Sequence, residues 1–502
     1  SVAGNLNVKN GSFILSKQGN SIVTLNVGGN IDVSGGVLQT TTLVNGVTAA
    51  INVTNDFIVE TEGIFDVSGY SSNASTGFST INIGRDLLIS TTNPTAGIRG
   101  FIPTAAESFT LNITRDFTIS GGAKFINASA VYNTKNYLIK LGGNFNLSGA
   151  GSSFVFGNTG ATAVNGTFSF SGAATGFSGG RTNATFTVGA GATFTPFTAP
   201  NGFAFDVSAT QLPGKKLTLS NNFSLPGKTF TINNGATLDA GLFIISGGGG
   251  FTNASGGTLI TANTNGVRGA VNNGTVQTTG TNVLATGSSY TYNSAAGATP
   301  QSTGLVALGT NVPANISILT ANNTNVNLDA TISVGASGSV PAVTLNTGGV
   351  FNLGNNGLTL QETDIPVLKT SGTITTTTAT NLSFGSAGKT GGAAFALPAN
   401  LFTTPPEINN FTINRTNSLT LGNQSFAIRG VLTSTSGTLH LNDAYFTLKS
   451  DAAYTARVAP VGGNFAYGNG RFVIERFYPA GRKWHLSTAP VTADAGRSIY
   501  NS

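Results

Sequence analysis

The sequence predicts an all-β chain folded as a parallel β-helix, a β-solenoid, with the start of a further β module at its C-terminal end. Three observations carry this: a short alternating phrase returns at nearly constant spacing, helical periodicity is missing, and the composition is that of strand faces and corners. Of 502 residues, 24 are Lys or Arg and 18 are Asp or Glu, so 8% are charged where an ordinary domain has about a quarter. Gly supplies 68 residues, Pro only 16, and 39% are apolar. That much apolar side chain can fill a long core, which excludes disorder as the main reading.

The phrase reads LNVGGNIDV from Leu25, INVTNDFIV from Ile51, INIGRDLLI from Ile81, LNITRDFTI from Leu111 and IKLGGNFNL from Ile139, at spacings of 26, 30, 30 and 28. In each, two alternating apolar stretches flank a polar corner such as Gly28-Gly29-Asn30 or Gly84-Arg85-Asp86. Alternation buries one face of a strand, and its regular return without helical patterning between marks a solenoid. Leu25, Ile51, Ile81, Leu111 and Ile139 are therefore expected to form one inward-facing column. Residues 1–165 make up the stretch of longer coils.

Residues 166–450 are expected to form shorter coils. FTVGAGATF from Phe186 and FTINNGATL from Phe230 share one frame 44 residues apart, which leaves room for two coils of about 22 residues. SLTLGNQSFAI from Ser418 and TLHLNDAYFTL from Thr438 repeat after 20 residues. Corners are expected to take Gly, Asn and Asp for their tolerance of positive φ.

Residues 451–502 differ in composition. Between Arg457 and Arg497, six basic residues (Arg457, Arg471, Arg476, Arg482, Lys483 and Arg497) stand against two acidic ones, Glu475 and Asp494, and the single Trp, Trp484, sits beside His485. The shift reads as a transition segment into an incomplete C-terminal module. The first ten residues already read as strand, so both ends are expected to be cuts through a longer chain, because a bare solenoid end leaves strand edges unpaired.

Several function classes fall away. With no Cys, disulfides, thiolate nucleophiles and sulfur-ligated metals are excluded. The net charge of +6 is spread over few charges and lacks the dense basic stripe of a nucleic-acid binder. No apolar run approaches the roughly 18–20 residues of a membrane span, and no signal peptide is visible.

One column of polar residues is weighed as a cation site. The sixth position of the phrase is Asn30, Asp56, Asp86, Asp116 and Asn144, so three carboxylates should stack on successive coils. Bound Ca²⁺, or Arg85 and Arg115, would relieve their repulsion of about 0.9 kcal/mol per pair. The preferred reading is plainer: Asp and Asn at corners cap backbone N–H groups, and the glycine-rich Ca²⁺-binding nonapeptide is missing. The second position gives Asn26, Asn52, Asn82 and Asn112, then Lys140, and is expected to form an outward amide ladder over four coils.

Catalysis needs a carboxylate pair or acids beside a base, and the chain is poor in both. Between residues 117 and 361 the acids are Asp206, Asp239 and Asp329, while Glu362 and Asp364 stand together without a base. His440 is read as an outward ladder residue of the strand-like LHL, and with two His in the chain no His-ligated metal site is expected. Thr375-Thr376-Thr377-Thr378 resembles flat threonine arrays that bind ice, but β-propensity explains Thr equally well. Tyr478, Arg482, Lys483, Trp484 and His485 form an aromatic and basic cluster able to meet anionic polysaccharide or a partner; seeding the core of the following module is the preferred role. No catalytic, cofactor-binding or metal-binding residue is assigned, and no cofactor is expected.

Two stretches carry a resemblance. INNFTINRTNSLTLGNQSFAIRGVLTSTSGTLHLNDAYFTLKSD, from Ile408 to Asp451, is similar to the last solenoid coils of large Bacteroidetes surface and secreted proteins exported by the type IX secretion system, gliding-type adhesins among them. RFVIERFYPAGRKWHLSTAPVT, from Arg471 to Thr492, resembles the segment those proteins place between solenoid and C-terminal modules. The resemblance implies an extracellular or outer-membrane-associated place, contact with the secretion machinery during export, and a C-terminal sorting domain that this sequence does not contain.

The sequence thus reads as a non-enzymatic structural or adhesive rod within a larger cell-surface or secreted adhesin. Other surface proteins, polysaccharide, or lateral or end-to-end copies of itself are the partners such a rod admits; nucleic acid is not among them. The alternative is a carbohydrate-binding or polysaccharide-degrading β-helix, which a groove lined by exposed aromatics and acids would indicate.

Overall fold

The computed structural model describes residues 1–16, 21–41, 48–66, 78–91, 97–99, 108–126, 135–155, 164–170, 183–188, 193–195, 197–198, 201–207, 216–225, 227, 229–295, 299–320, 324–336, 340–346, 348–361, 364–385, 393–403 and 405–480. The chain is a β-solenoid: each coil passes through short strands on successive faces, and the described strands, apart from the antiparallel Phe197–Thr198, pair in parallel with their counterparts in neighbouring coils. The longest face has 14 strands, running from Leu6–Val8 through Ile31–Val33, Phe57–Glu60 and Leu87–Ser90 to Val367–Lys369. At about 4.8 Å per strand it is roughly 60 Å tall. A second face of 11 strands starts at Ile22–Val27 and a third of seven at Ser12–Ser16. Above them, a six-stranded sheet and two four-stranded sheets carry the stack to Arg471–Ile474. The helical content among the described residues is one 3₁₀ turn, Val306–Leu308.

The predicted register is the observed one. Leu25 pairs with Ile51, Ile51 with Ile81, Ile81 with Leu111 and Leu111 with Ile139. All five point inward and none is more than 6% exposed. The 20-residue repeat near the other end holds equally, since Leu419 pairs with Leu439 and Phe426 with Phe446. Between these ends the core includes a stack of phenylalanines. The Phe145 ring lies 5.4 Å from Phe117, 5.7 Å from Phe154, 5.6 Å from Phe168 and 5.2 Å from Phe186, and every one of them is buried. Burial of one such ring contributes about 1.5–3 kcal/mol.

Two sequence expectations are corrected. The shared frame of Phe186 and Phe230 does not place them on one face: Phe186 pairs with Phe145 and Leu219 in the 14-stranded sheet, Phe230 with Phe205 and Phe251 in the 11-stranded one. The pattern Φ-T-Φ-x-x-G-A-T-Φ encodes a strand and a corner, but not which corner of the coil. Nor do the corners of the phrase use positive φ. Gly28 is required because a Cβ there would lie 2.4 Å from the Ala3 carbonyl oxygen of the coil below, a demand of stacking distance rather than of dihedral angle.

Coil length also varies. Leu217, Leu238 and Leu259 pair in succession 21 residues apart, whereas Leu259 pairs with Tyr290. The longer turn carries a tightly wound loop in which Val276 N–H donates to Val267 O, and Val267 N–H to Thr303 O of the coil above. The interior changes character here. Ser288, Tyr290, Tyr292, Ser294, Gln301 and Thr303 are all buried, and their hydrogen bonds run inward: Ser288 Oγ to Tyr290 Oη at 2.9 Å, Tyr292 Oη to Thr303 O at 2.8 Å, and Gln301 Nε2 to Thr261 O at 3.0 Å. A polar layer thus interrupts the apolar column.

That layer makes stability sensitive to alkali. Burial pushes the Tyr290 hydroxyl up to about 12, against opposing hydrogen bonds, and raises Tyr292 well above the ordinary 10, with the Asp329 charge adding to it. The unfolded chain therefore releases these protons first, from pH 10 upward, so the stabilisation is complete below pH 10 and falls as pH rises toward 12. A melting temperature that declines over this window, and declines less in Tyr290→Phe, is the expected result. A flat profile, or an unchanged slope in Tyr290→Phe, would contradict it.

Candidate functional site

The aligned corner residues form a ladder. Asn30 Oδ1 accepts the N–H of Asp56 at 3.2 Å, Asp56 Oδ1 that of Asp86 at 3.1 Å, Asp86 Oδ1 that of Asp116 at 2.9 Å, and Asp116 Oδ1 that of Asn144 at 2.9 Å. Asn5, which sequence reasoning missed, extends it one coil down by accepting from Asn30 N–H at 2.9 Å. Arg85 and Arg115 each approach the carboxylate one coil below at 3.6 Å. Each acid thus caps a backbone donor, as read from the sequence. Asp86→Ala leaves the Asp116 N–H without its acceptor and is expected to cost about 1–3 kcal/mol, while Asp86→Asn keeps the acceptor and costs less. Neither Ca²⁺ nor EDTA is expected to shift the melting temperature; a Ca²⁺-dependent rise lost in Asp86→Asn would restore the cation reading.

The outward amide ladder is also present. Asn52 Nδ2 donates to Asn26 Oδ1 at 2.7 Å, Asn82 to Asn52 at 2.8 Å and Asn112 to Asn82 at 2.7 Å, with Lys140 next in register. His440 lies half-buried between Thr420 and Ala466, pointing opposite to the buried Leu439. Asp239 pairs with Lys216 at 2.7 Å, Asp329 accepts from Thr303 Oγ1 and Leu305 N–H, and Asp364 accepts from Ala393 N–H at 3.0 Å. Glu362, the Asp206 side chain, and Arg482, Lys483, Trp484 and His485 lie outside the described residues. Among the described residues no group of three or more His, Asp or Glu is placed to hold a metal ion, and no helix is long and apolar enough to cross a membrane.

A concave site is present among the described residues, and of its lining only the Thr375–Thr378 run stood out in the sequence. Ile374 N–H donates to Leu401 O at 2.7 Å, which sets Phe402 above Ile374. Beside this bridge a cleft of about 330 Å³ opens between the Thr375–Thr378 run of one coil and Phe402, Thr403, Pro405, Pro406 and Glu407 of the next. Thr375 Oγ1 is bonded to Asn352 Oδ1 at 3.1 Å, and Thr377 Oγ1 to Gly354 O at 2.9 Å. Among the described residues the hydroxyls of Thr376, Thr378 and Thr403 have no protein partner.

Charge gathers beside the cleft. Glu407 accepts from Arg429 Nε, and the Arg429 guanidinium lies 4.7 Å from the centre of the Tyr454 ring. The Glu407 hydrogen bond holds Arg429 above its ordinary pKa although burial opposes this. Lys449 and Glu475 pair at 2.7 Å on the same sheet and raise the Lys449 pKa likewise. Both pairs are neutral overall, so the cleft has little net field. Comparison with protein-family models, with curated proteins and with solved structures returns no match to this chain.

Proposed function

We propose that the chain is a non-enzymatic structural rod, one section of a larger cell-surface or secreted adhesin that holds its binding parts away from the cell. The observation that carries this is the stack itself: parallel backbone pairing from Leu6–Val8 onward surrounds a buried core whose described residues extend from Val8 to Ala456. Each inner coil is supported by both neighbours, so a pull along the axis meets paired backbone at every level. Asp56, Asp86 and Asp116 are spent on backbone capping, and Asp239, Glu407 and Glu475 are held in ion pairs, whereas glycoside hydrolysis uses a carboxylate pair about 5–9.5 Å apart. Sparse Lys and Arg, 24 in 502 residues, leave few tryptic sites. The extracellular place, export through the type IX machinery and lateral or end-to-end association follow from the sequence resemblance and from this form.

Incubation of the purified rod with a polysaccharide panel, with and without Ca²⁺, is expected to give no cleavage products, and trypsin is expected to leave the stacked region intact. Turnover that Asp86→Asn abolishes would overturn the reading in favour of a polysaccharide-degrading β-helix.

A further inference from the structure

We propose that the cleft between Thr375–Thr378 and Pro405–Glu407 is a binding site for a neutral saccharide unit. The volume of about 330 Å³ falls within the range of small-molecule clefts, about 300–1,000 Å³. Its polar groups are of the kind a sugar uses. Thr376, Thr378 and Thr403 offer hydroxyls that both donate and accept, and they stand on two coils so that they face one ligand from two sides. Glu407 adds a carboxylate whose Oε1 is held by Arg429, leaving Oε2 to accept from ligand hydroxyls.

Apolar surface completes the match. Pro405 is exposed in the cleft, with Ile374, Phe402 and Pro406 buried behind it, so a ring can lay an apolar face on Pro405 while its rim of hydroxyls meets the threonines. A charged ligand of either sign would lose its hydration without finding a free counter-charge, because Glu407 and Arg429 already neutralise each other. The ligand that fits is therefore uncharged and rich in hydroxyls. The fixed spacing of the coils holds the two walls apart without a ligand, so little ordering is required on binding.

The proposal is independent of the rod reading, because a rod without this site would still resist proteolysis and extension. The test is saturation-transfer NMR and calorimetry on the full chain with maltohexaose, cellohexaose, laminarihexaose and mannohexaose, set against an oligogalacturonate and a proline-rich peptide. Saturable binding of at least one neutral hexasaccharide is expected at millimolar concentration or below. The double variant Thr376→Val/Thr378→Val is expected to lower that affinity at least about tenfold without changing the melting temperature, and Thr403→Trp, which fills the cleft from its exposed edge, to abolish it. Saturation by none of the four neutral sugars, binding confined to the oligogalacturonate or the peptide, or undiminished affinity in the variants would each overturn the proposal.

Discussion

Phe145→Ala is expected to lower stability by about 3–5 kcal/mol, the range for removing a fully buried phenylalanine. Phe145 is 0% exposed and touches Phe rings above, below and across the coil, at 5.2–5.7 Å between centroids. The neighbours cannot close over the cavity, because each strand is held by parallel pairing on both sides. In a stack with nearest-neighbour coupling the loss should be local. Hydrogen exchange should accelerate in the coils around Phe117, Phe145 and Phe186, while the coils around Phe426 and Phe446 keep their protection. Uniform acceleration along the chain, or a loss below about 1 kcal/mol, would contradict this packing.

Gly63→Val is expected to be the most disruptive single substitution at a corner, costing about 3 kcal/mol or more. A Cβ at Gly63 would lie 1.8 Å from the Val33 carbonyl oxygen and 2.6 Å from its carbon. Neither side can retreat: Val33 is paired with Val59 and Ile64 with Val37. The clash is with backbone, so no rotamer relieves it. Circular dichroism and thermal melting compare Gly63→Val with Gly11→Val, where the space is open and only the strain of a positive φ is added. Equal melting temperatures for the two variants would refute the close approach.

The parts of the fold legible in the sequence are those in which every coil repeats the same local demand. Leu25 to Ile139 and Asn26 to Asn112 could be aligned because stacking in register puts like on like, and a ladder of amides needs Asn in every rung. The frame shared by Phe186 and Phe230 misled because strand and corner chemistry is the same at all corners of a coil; only counting paired strands shows which corner is meant. The polar layer around Tyr290 and Gln301 left no periodic trace, since it occupies one region and its residue types also suit a surface. The cleft was illegible for a related reason. Thr375–Thr378 drew notice as a threonine array, but Phe402, Pro405 and Glu407 lie about 30 residues later and are brought beside it by the pairing of Ile374 with Phe402.

As a stack of coils each paired with its neighbours, the chain is expected to yield to axial pulling coil by coil. Because the sequence has no Cys, Ser12→Cys and Arg476→Cys provide two unique handles for single-molecule stretching. Coils of 20 to 30 residues, as in the repeats from Leu25 and from Ser418, release about 70–110 Å of contour each at roughly 3.3–3.6 Å per residue. A sawtooth of successive steps in this range, with the Phe145→Ala variant losing its first steps at lower force, is the predicted trace. A single rupture that frees the whole contour at once would contradict it.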